Sequence, residues 1–268
     1  VSSAGSVSPR SDQAANPARI HDYLLGGREN YAVDRRAAEH LLNIVPATRQ
    51  LVACNRRFLH RAIRYAVRDA GIRQFLDIGS GLPAQENLHQ TAQRSDPSAR
   101  VVYVDNDPVV VAHGRALLAH GDRTAMVTGD VRDMDTVLGN PEVTRILDLA
   151  EPVAALLATV LSCLPDRDRP GDLVRGIADR LPAGSVLVFS HPAATDRRLR
   201  TRLTELMLGV TGGMWGRVRD PEEFAVWFEG LELVPPGLVE VSAWRPDPGE
   251  TVNPPSEAMV VGAIARVP

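Results

Sequence analysis

An apolar run that stops on an acid and then on two closely spaced glycines, Phe75-Leu-Asp77-Ile-Gly79-Ser80-Gly81-Leu-Pro83, narrows the possible folds more than any other stretch of this chain. The run has the length of a buried strand, and Gly79 and Gly81 supply a tight turn whose missing side chains let a ligand approach the backbone. Two further strands repeat the ending. Residues 100–104 read as a strand that stops at Asp105, about 20 residues past the turn, where a carboxylate can accept hydrogen bonds from ribose hydroxyls. Residues 124–128 read as a third, followed by Gly129-Asp130. Asp is a common turn residue for purely local reasons. Three in succession at one sheet edge instead point to a nucleotide-type site, because the crevice of an open α/β sheet lies beyond the carboxyl ends of its strands.

The remainder reads as β followed by α, repeated. Residues 1–15 are rich in Ser, Ala and Gly without apolar periodicity and are expected to be a disordered tail. Asn16-Pro17 caps and opens a short helix that stops at Gly26-Gly27. Helices follow over 34–44 and 48–70, the latter with Leu51, Phe58, Leu59, Ala62, Ile63 and Ala66 as its apolar side. Beyond the glycine turn, residues 84–94 are expected to form a helix whose first N–H groups face the ligand, and Asp107-Pro108 opens another to about residue 120. Strands over 153–159 and 185–190 flank a helix over 171–181. A helix over 196–208, a Gly-rich loop over 209–219 and a helix from Pro221 to Phe228 come next. Segments 237–244 and 258–265 then form a terminal hairpin. The organisation expected is a tail over 1–15, a helical lid over 16–73 and a main domain over 74–268 with a substrate-side insertion at about 207–230.

Composition excludes several classes. The chain has 268 residues, 44% of them hydrophobic, enough for one full α/β core. All 30 basic residues are Arg, so neither a lysine Schiff base nor a phosphate loop of the Gly-Lys-Ser/Thr type is available. A formal net charge of −3 without a basic run gives no footprint for nucleic acid. No long apolar stretch or signal pattern is present, so neither a membrane partner nor secretion is indicated and a cytoplasmic location is expected. Cys54 and Cys163 are too few for a disulfide framework, and no metal site is expected. A small-molecule substrate is favoured; the oligomeric state is left open.

Asp77-Ile-Gly79-Ser-Gly81, Asp105 and Gly129-Asp130 resemble the cofactor motifs of class I S-adenosylmethionine-dependent methyltransferases, and residues 158–166 resemble the segment that follows their fourth strand. The opening Ala18-Arg-Ile-His-Asp-Tyr-Leu-Leu-Gly-Gly27, with Val102-Tyr-Val-Asp-Asn-Asp-Pro108, is similar to an S-adenosyl methyltransferase family of high-GC Gram-positive bacteria long catalogued as a domain of unknown function. The resemblance covers about residues 17–266. It implies a Rossmann-like α/β fold with a seven-stranded, mostly parallel sheet, the last strand antiparallel, and an N-terminal helical lid. The cofactor implied is S-adenosylmethionine, with S-adenosylhomocysteine as product. Asp77, Gly79, Ser80 and Gly81 would receive its methionine part, Asp105 the ribose, Asn106 or Asp107 the edge of the adenine, and Asp130 the adenine amine, with Val131 packed on the ring. Ala158 and Thr159 would sit near the sulfonium, and Tyr23, Gly26 and Gly27 in the lid.

Methyl transfer needs alignment and exclusion of water first, and a general base only where the nucleophile keeps its proton at neutral pH. By position the candidates are His191, just past the strand over 185–190, then His21 and Tyr23 in the lid; members of the class often carry His near Ser162-Cys163, and this chain does not. The pocket is expected between the lid, the loop from about His191 and the segment 207–228. The leading reading is a methyltransferase acting on a small molecule, placed in secondary metabolism. Alternatives are non-methylating chemistry with the same cofactor, a cofactor-binding sensor, and a nicotinamide-dependent dehydrogenase, which Gly79-Ser-Gly81-Leu-Pro-Ala84 would suit as Gly-x-Gly-x-x-Ala.

Overall fold

The computed structural model describes residues 14–119 and 121–268. Strands β1 (Gln74–Ile78), β2 (Arg100–Asp105), β3 (Thr124–Thr128), β4 (Ala154–Ala158), β5 (Val186–Ala194), β6 (Glu232–Leu233), β7 (Val239–Glu240) and β8 (Ala258–Arg266) form one mixed sheet. Its order is β3-β2-β1-β4-β5-β8-β6, with β7 also on β8. The first five strands run parallel, and β8 runs antiparallel to β5, β6 and β7.

The sheet has eight strands where the resemblance implied seven, because the edge strand beside β8 is split. Pro235 and Pro236 fall between β6 and β7, and a residue without N–H cannot continue a ladder. The same split shortens the first arm of the expected terminal hairpin to Val239–Glu240; residues Val241–Ala243 turn into a 3₁₀ helix instead.

Side chains alternate strictly across this sheet, as a period of two requires. Leu76, Ile78, Val102, Val104, Ala155, Leu157, Leu187 and Phe189 pack into a core on one face, under helices α6 (Met134–Leu138), α7 (Pro141–Ile146) and α8 (Pro170–Ala178). Phe75, Val101, Tyr103, Ala154, Leu156, Val186 and Val188 pack into a second core on the other, under α3 (Thr48–Arg68), α4 (Leu88–Ser95) and α5 (Pro108–Leu117). Helix α3 is therefore a layer of the main domain rather than part of a lid. Its Phe58, Ala62, Ile63 and Ala66 are at most 2% exposed against the sheet.

Above α3 lie α1 (Pro17–Leu24), α2 (Ala32–Ile44) and α9 (Arg197–Val210), which share a small apolar cluster of Ala15, Ile20, Leu24, Ala37, Ala38 and Met207. Of the expected tail, residues 1–13 lie outside the described residues, whereas Ala15 is buried and its N–H donates to the Val210 carbonyl at 2.9 Å. Asp34 is the anchor of this layer. Fully buried, it accepts hydrogen bonds from the Asn16 N–H, the Tyr31 N–H and Arg19 Nε, each at 2.8 Å.

Removing one partner of a buried ion pair costs about 3–5 kcal/mol because the other charge stays buried. Asp34→Ala is expected to lower stability in urea denaturation by about 3 kcal/mol; a loss below about 1 kcal/mol would show that the layer is held by its apolar cluster alone.

Candidate functional site

One cavity of about 1290 Å³ opens at the carboxyl ends of β1, β2, β3 and β4 and continues under α1, α2 and α9. Pockets for drug-sized ligands are typically about 300–1,000 Å³, so it has room for two molecules. Its two ends differ in character.

The polar end begins at the glycine turn. Gly79 adopts φ +71°, and a Cβ there would lie 2.3 Å from Val160 Cγ2, so the turns after β1 and β4 meet only because the side chain is absent. The turn is not a cradle of free donors. Gly79 and Ser80 donate their N–H groups to the Val104 carbonyl at 2.8 and 3.0 Å, and Gly81 donates to Asp105 Oδ2 at 2.9 Å. The helix expected from residue 84 starts at Leu88, after a loop in which the Ala84 N–H donates to Asn87 Oδ1 at 3.0 Å. Pro83 biases Leu82 away from helical backbone, which delays the helix.

Strand parity decides which way the acids point. Asp77, Tyr103 and Asp105 share the face of Phe75 and Val101, the face covered by α3, and there Arg56, whose Nη2 donates to the Glu86 carbonyl, acts on Asp77 and Tyr103. Burial and then the repulsion of Asp105 push the Asp77 carboxyl up to about 7 against the pull of Arg56. Among the described residues no hydrogen-bond donor reaches that carboxyl. Asp105 is also raised by burial, offset by N–H donors from Asp107 and Gly81. Asp130 behaves oppositely: hydrogen bonds from Arg132 hold it below the usual carboxylate range, and Asn106 Nδ2 donates to its Oδ2 at 3.0 Å. Asp107 caps α5 and accepts from Asn16 Nδ2 at 2.6 Å, which ties the start of α1 to the site. Val131, Ala158 and Thr159 complete this wall, Thr159 with φ 58°, an unusual conformation for a residue with a branched side chain.

The lid residues divide. Gly26 and Gly27 lie on the wall. Gly26 ends α1 at φ +82°, and a Cβ on Gly27 would lie 1.9 Å from Asp22 Oδ1, so both glycines are required by the turn itself. His21 is on the wall beside Arg56, and burial, then that guanidinium, lower it to about 4. Tyr23 is not among the lining residues. It turns outward, its hydroxyl donating to Glu39 Oε1 at 2.7 Å and its ring under Arg49.

His191 is the main correction. Strand β5 runs on to Ala194, so His191 lies within it and follows Leu187 and Phe189 onto the face away from α3. It is fully buried among Phe189, Phe224 and Trp227, with Nε2 3.2 Å from Arg219 Nη1. Burial foremost, then Arg219, lowers it to about 3. It is absent from the cavity wall, and its neighbour Pro192 lines the wall instead.

The other end of the cavity is apolar, walled by Leu41, Val52, Leu203, Met207, Val218 and Met259. The loop after α9 adds Met214 and Trp215 to it, pinned from behind by Arg217 and Arg219, which donate to Asp166 at 2.7 and 2.6 Å. Sequence reasoning missed Asn55 and Arg56, two of the polar residues of α3 on the cavity wall. The signal was present: Thr48, Val52, Asn55, Leu59 and Ile63 recur at helical spacing as a second face of α3, which marks a helix covered on both sides. Among the described residues no group of three or more His, Cys, Asp or Glu could hold a metal, and no helix is long and apolar enough to cross a membrane.

A family model described as S-adenosyl methyltransferase matches residues 7–268. Among solved structures, a DUF574 family protein of Streptomyces avermitilis MA-4680 is 37% identical over 96% of this chain and 99% of its own, with a TM-score of 0.87. A candidate methyltransferase of Thermobifida fusca YX is 38% identical over 98% of this chain and 99% of its own, with a TM-score of 0.86. No curated protein sequence matches.

Asp77 carries a consequence for stability. Its carboxyl holds a proton up to about pH 7 in the folded chain, against an ordinary 3.8. Between those values the unfolded chain binds fewer protons, so stability falls as pH rises. Asp77→Asn is expected to raise the melting temperature of the ligand-free protein at pH 8, by up to about 4 kcal/mol in stability, with the gain narrowing toward pH 5. Melting curves of both proteins across that range check it; no gain at pH 8 would mean that the carboxylate is already compensated.

Proposed function

We propose that this chain, which belongs to the S-adenosyl methyltransferase family, transfers a methyl group from S-adenosylmethionine to a small molecule held in the apolar end of its cavity. The observation that carries the reading is Asp77, a carboxyl at the head of the cavity with no hydrogen-bond donor among the described residues and with its proton retained to about pH 7. Such a group is suited to a cation that brings its own N–H donors, and the ammonium of a methionine moiety is one. The rest of the polar end fits the same cofactor. Asp105 would take the ribose hydroxyls, Asn106 and Asp130 the adenine edge, and Val131 the ring face, while Ala158 and Thr159 would lie beside the sulfonium. Asp107, already engaged by Asn16, would hold the lid to this edge.

A dinucleotide suits the site poorly. A pyrophosphate needs free backbone N–H groups, and those of Gly79, Ser80 and Gly81 are committed to Val104 and Asp105. A nicotinamide-dependent dehydrogenase is therefore not the reading supported.

When bound, S-adenosylmethionine supplies a methyl group already activated for in-line displacement. The protein's own part is then to align a nucleophile and keep water out. Helices α1, α2 and α9 roof the cavity, and the loop pinned to Asp166 closes its side. His21 faces the cavity as a neutral imidazole, able to accept a hydrogen bond from a substrate but, lowered to about 4, a weak base.

Thermal unfolding with S-adenosylmethionine, S-adenosylhomocysteine and NAD in parallel tests this. At about a hundred times its dissociation constant a ligand adds about 2.7 kcal/mol. For a chain of this size both adenosyl ligands are expected to raise the midpoint by roughly 5 °C or more, and Asp105→Ala to abolish the rise. A shift with NAD alone would overturn the assignment.

A further inference from the structure

One cation on the cavity wall is left without an anion. Arg56 lines the cavity from α3 and is half-buried. Among the described residues its guanidinium makes one hydrogen bond, from Nη2 to the neutral Glu86 carbonyl, and has no carboxylate within 4.0 Å. Elsewhere such groups are paired. Arg19, Arg61, Arg200, Arg217 and Arg219, buried or half-buried, each reach a carboxylate at 2.6–2.8 Å. Arg266 is the other half-buried arginine without one among the described residues, and it lies off the cavity wall. Burial weakens the hold of Arg56 on its charge, offset first by the field of Asp77, so this cation is partly desolvated. Its planar fork of five N–H donors is shaped for a carboxylate.

Asp77 is the opposite case on the same cavity: it lines the wall, feels Arg56 and has no donor among the described residues. The two charges attract but do not meet, since no nitrogen of the guanidinium lies within 4.0 Å of an oxygen of the carboxyl. Opposite charges held apart in a partly desolvated space keep the cost of leaving water without the gain of close contact. A ligand that carries both signs satisfies the two together, its anion on Arg56 and its cation on Asp77. An α-amino-acid head is such a group. The glycine turn has no N–H to offer its carboxylate, because those of Gly79, Ser80, Gly81 and Ala84 are committed within the protein. Resting on the role proposed for Asp77, we propose that Arg56, rather than the glycine turn, receives the carboxylate of the methionine moiety, and that the chain thereby rejects adenosyl thioethers that lack it.

Three thioethers separate the two charges of the head: S-adenosylhomocysteine (ammonium and carboxylate), its decarboxylated analogue S-adenosyl-3-thiopropylamine (ammonium only) and 5′-methylthioadenosine (neither). Each is titrated calorimetrically into the full chain. We expect S-adenosylhomocysteine to bind at least about 10-fold more tightly than the decarboxylated analogue, the range of hydrogen bonds to charged groups. Arg56→Met and Arg56→Gln, which remove the charge at similar length, should each reduce that preference to within about threefold, with the affinity for 5′-methylthioadenosine unchanged. That last ligand reports whether the variant still folds around the nucleoside. Equal affinities of the unaltered protein for the first two ligands, tighter binding of the decarboxylated one, or a preference that survives either substitution would overturn the inference and leave the methyltransferase reading standing. An equal weakening of all three ligands in both variants would overturn it by making Arg56 a structural residue. Absence of binding by the unaltered protein to any of the three would overturn both.

Discussion

Negative charge gathered at the ends of three adjacent parallel strands is the constraint that the rest of this molecule answers. Asp77, Asp105 and Asp130 sit at one edge of the sheet, and each is handled differently. Asp130 is neutralised by Arg132 and by the amide of Asn106. Asp105 is held by the backbone N–H groups of Gly81 and Asp107, which is why the glycine turn has no donors to spare. Asp77 receives only the field of Arg56 across the crevice and keeps its proton to about pH 7. A fold selected for stability alone would not leave a half-buried carboxyl in that state, because substitution by a neutral side chain removes the penalty. Groups kept at such a disadvantage are concentrated at functional sites.

The same constraint explains the attachment of the N-terminal helices. A lid over a charged crevice has to be fastened by polar contacts at its edge and apolar contacts elsewhere. Asn16 does the first: it caps α1 through Ala18 and Arg19, donates from its side chain to Asp107, and donates from its backbone to Asp34. The cluster with Met207 does the second. Because α1 and α3 both run along the cavity, its polar and apolar ends share walls, and a ligand at one end bears on residues that also face the other.

Much of this could be read from the chain. The strands ending in acids, the capped helices and the repeated β-α order follow from period and punctuation, and those local rules hold in the structure for β1 to β5, α1 to α3, α5, α8 and α9. What could not be read turned on where a local element stops or on which side it is covered. His191 was misplaced by a strand end: four further residues in β5 reverse the face on which the ring falls. Tyr23 turned outward because Glu39 and Arg49, distant in sequence, bind it. Asn55 and Arg56 look like the solvent side of an amphipathic helix until α1 and α2 are known to cover it. The short helices α6 and α7, too brief for a clear period, passed unnoticed.

The state of the histidines bears on the chemistry. The two on the cavity wall, His21 and His60, are each lowered to about 4 by burial and by the neighbouring guanidinium of Arg56, and His191, lower still, faces the opposite core. None is poised near neutrality, where a general base works best. One arginine thus has two effects: it lowers the charge penalty on Asp77, and it adds to the burial that keeps both imidazoles neutral. A site with a positive guanidinium near its centre and no basic imidazole is poorly equipped to strip a proton from an alcohol before transfer. It is better equipped for a nucleophile that needs only to be placed and desolvated, its proton leaving once the methyl has moved. Alignment and exclusion of water would then carry the rate, and those are what a roofed cavity can supply.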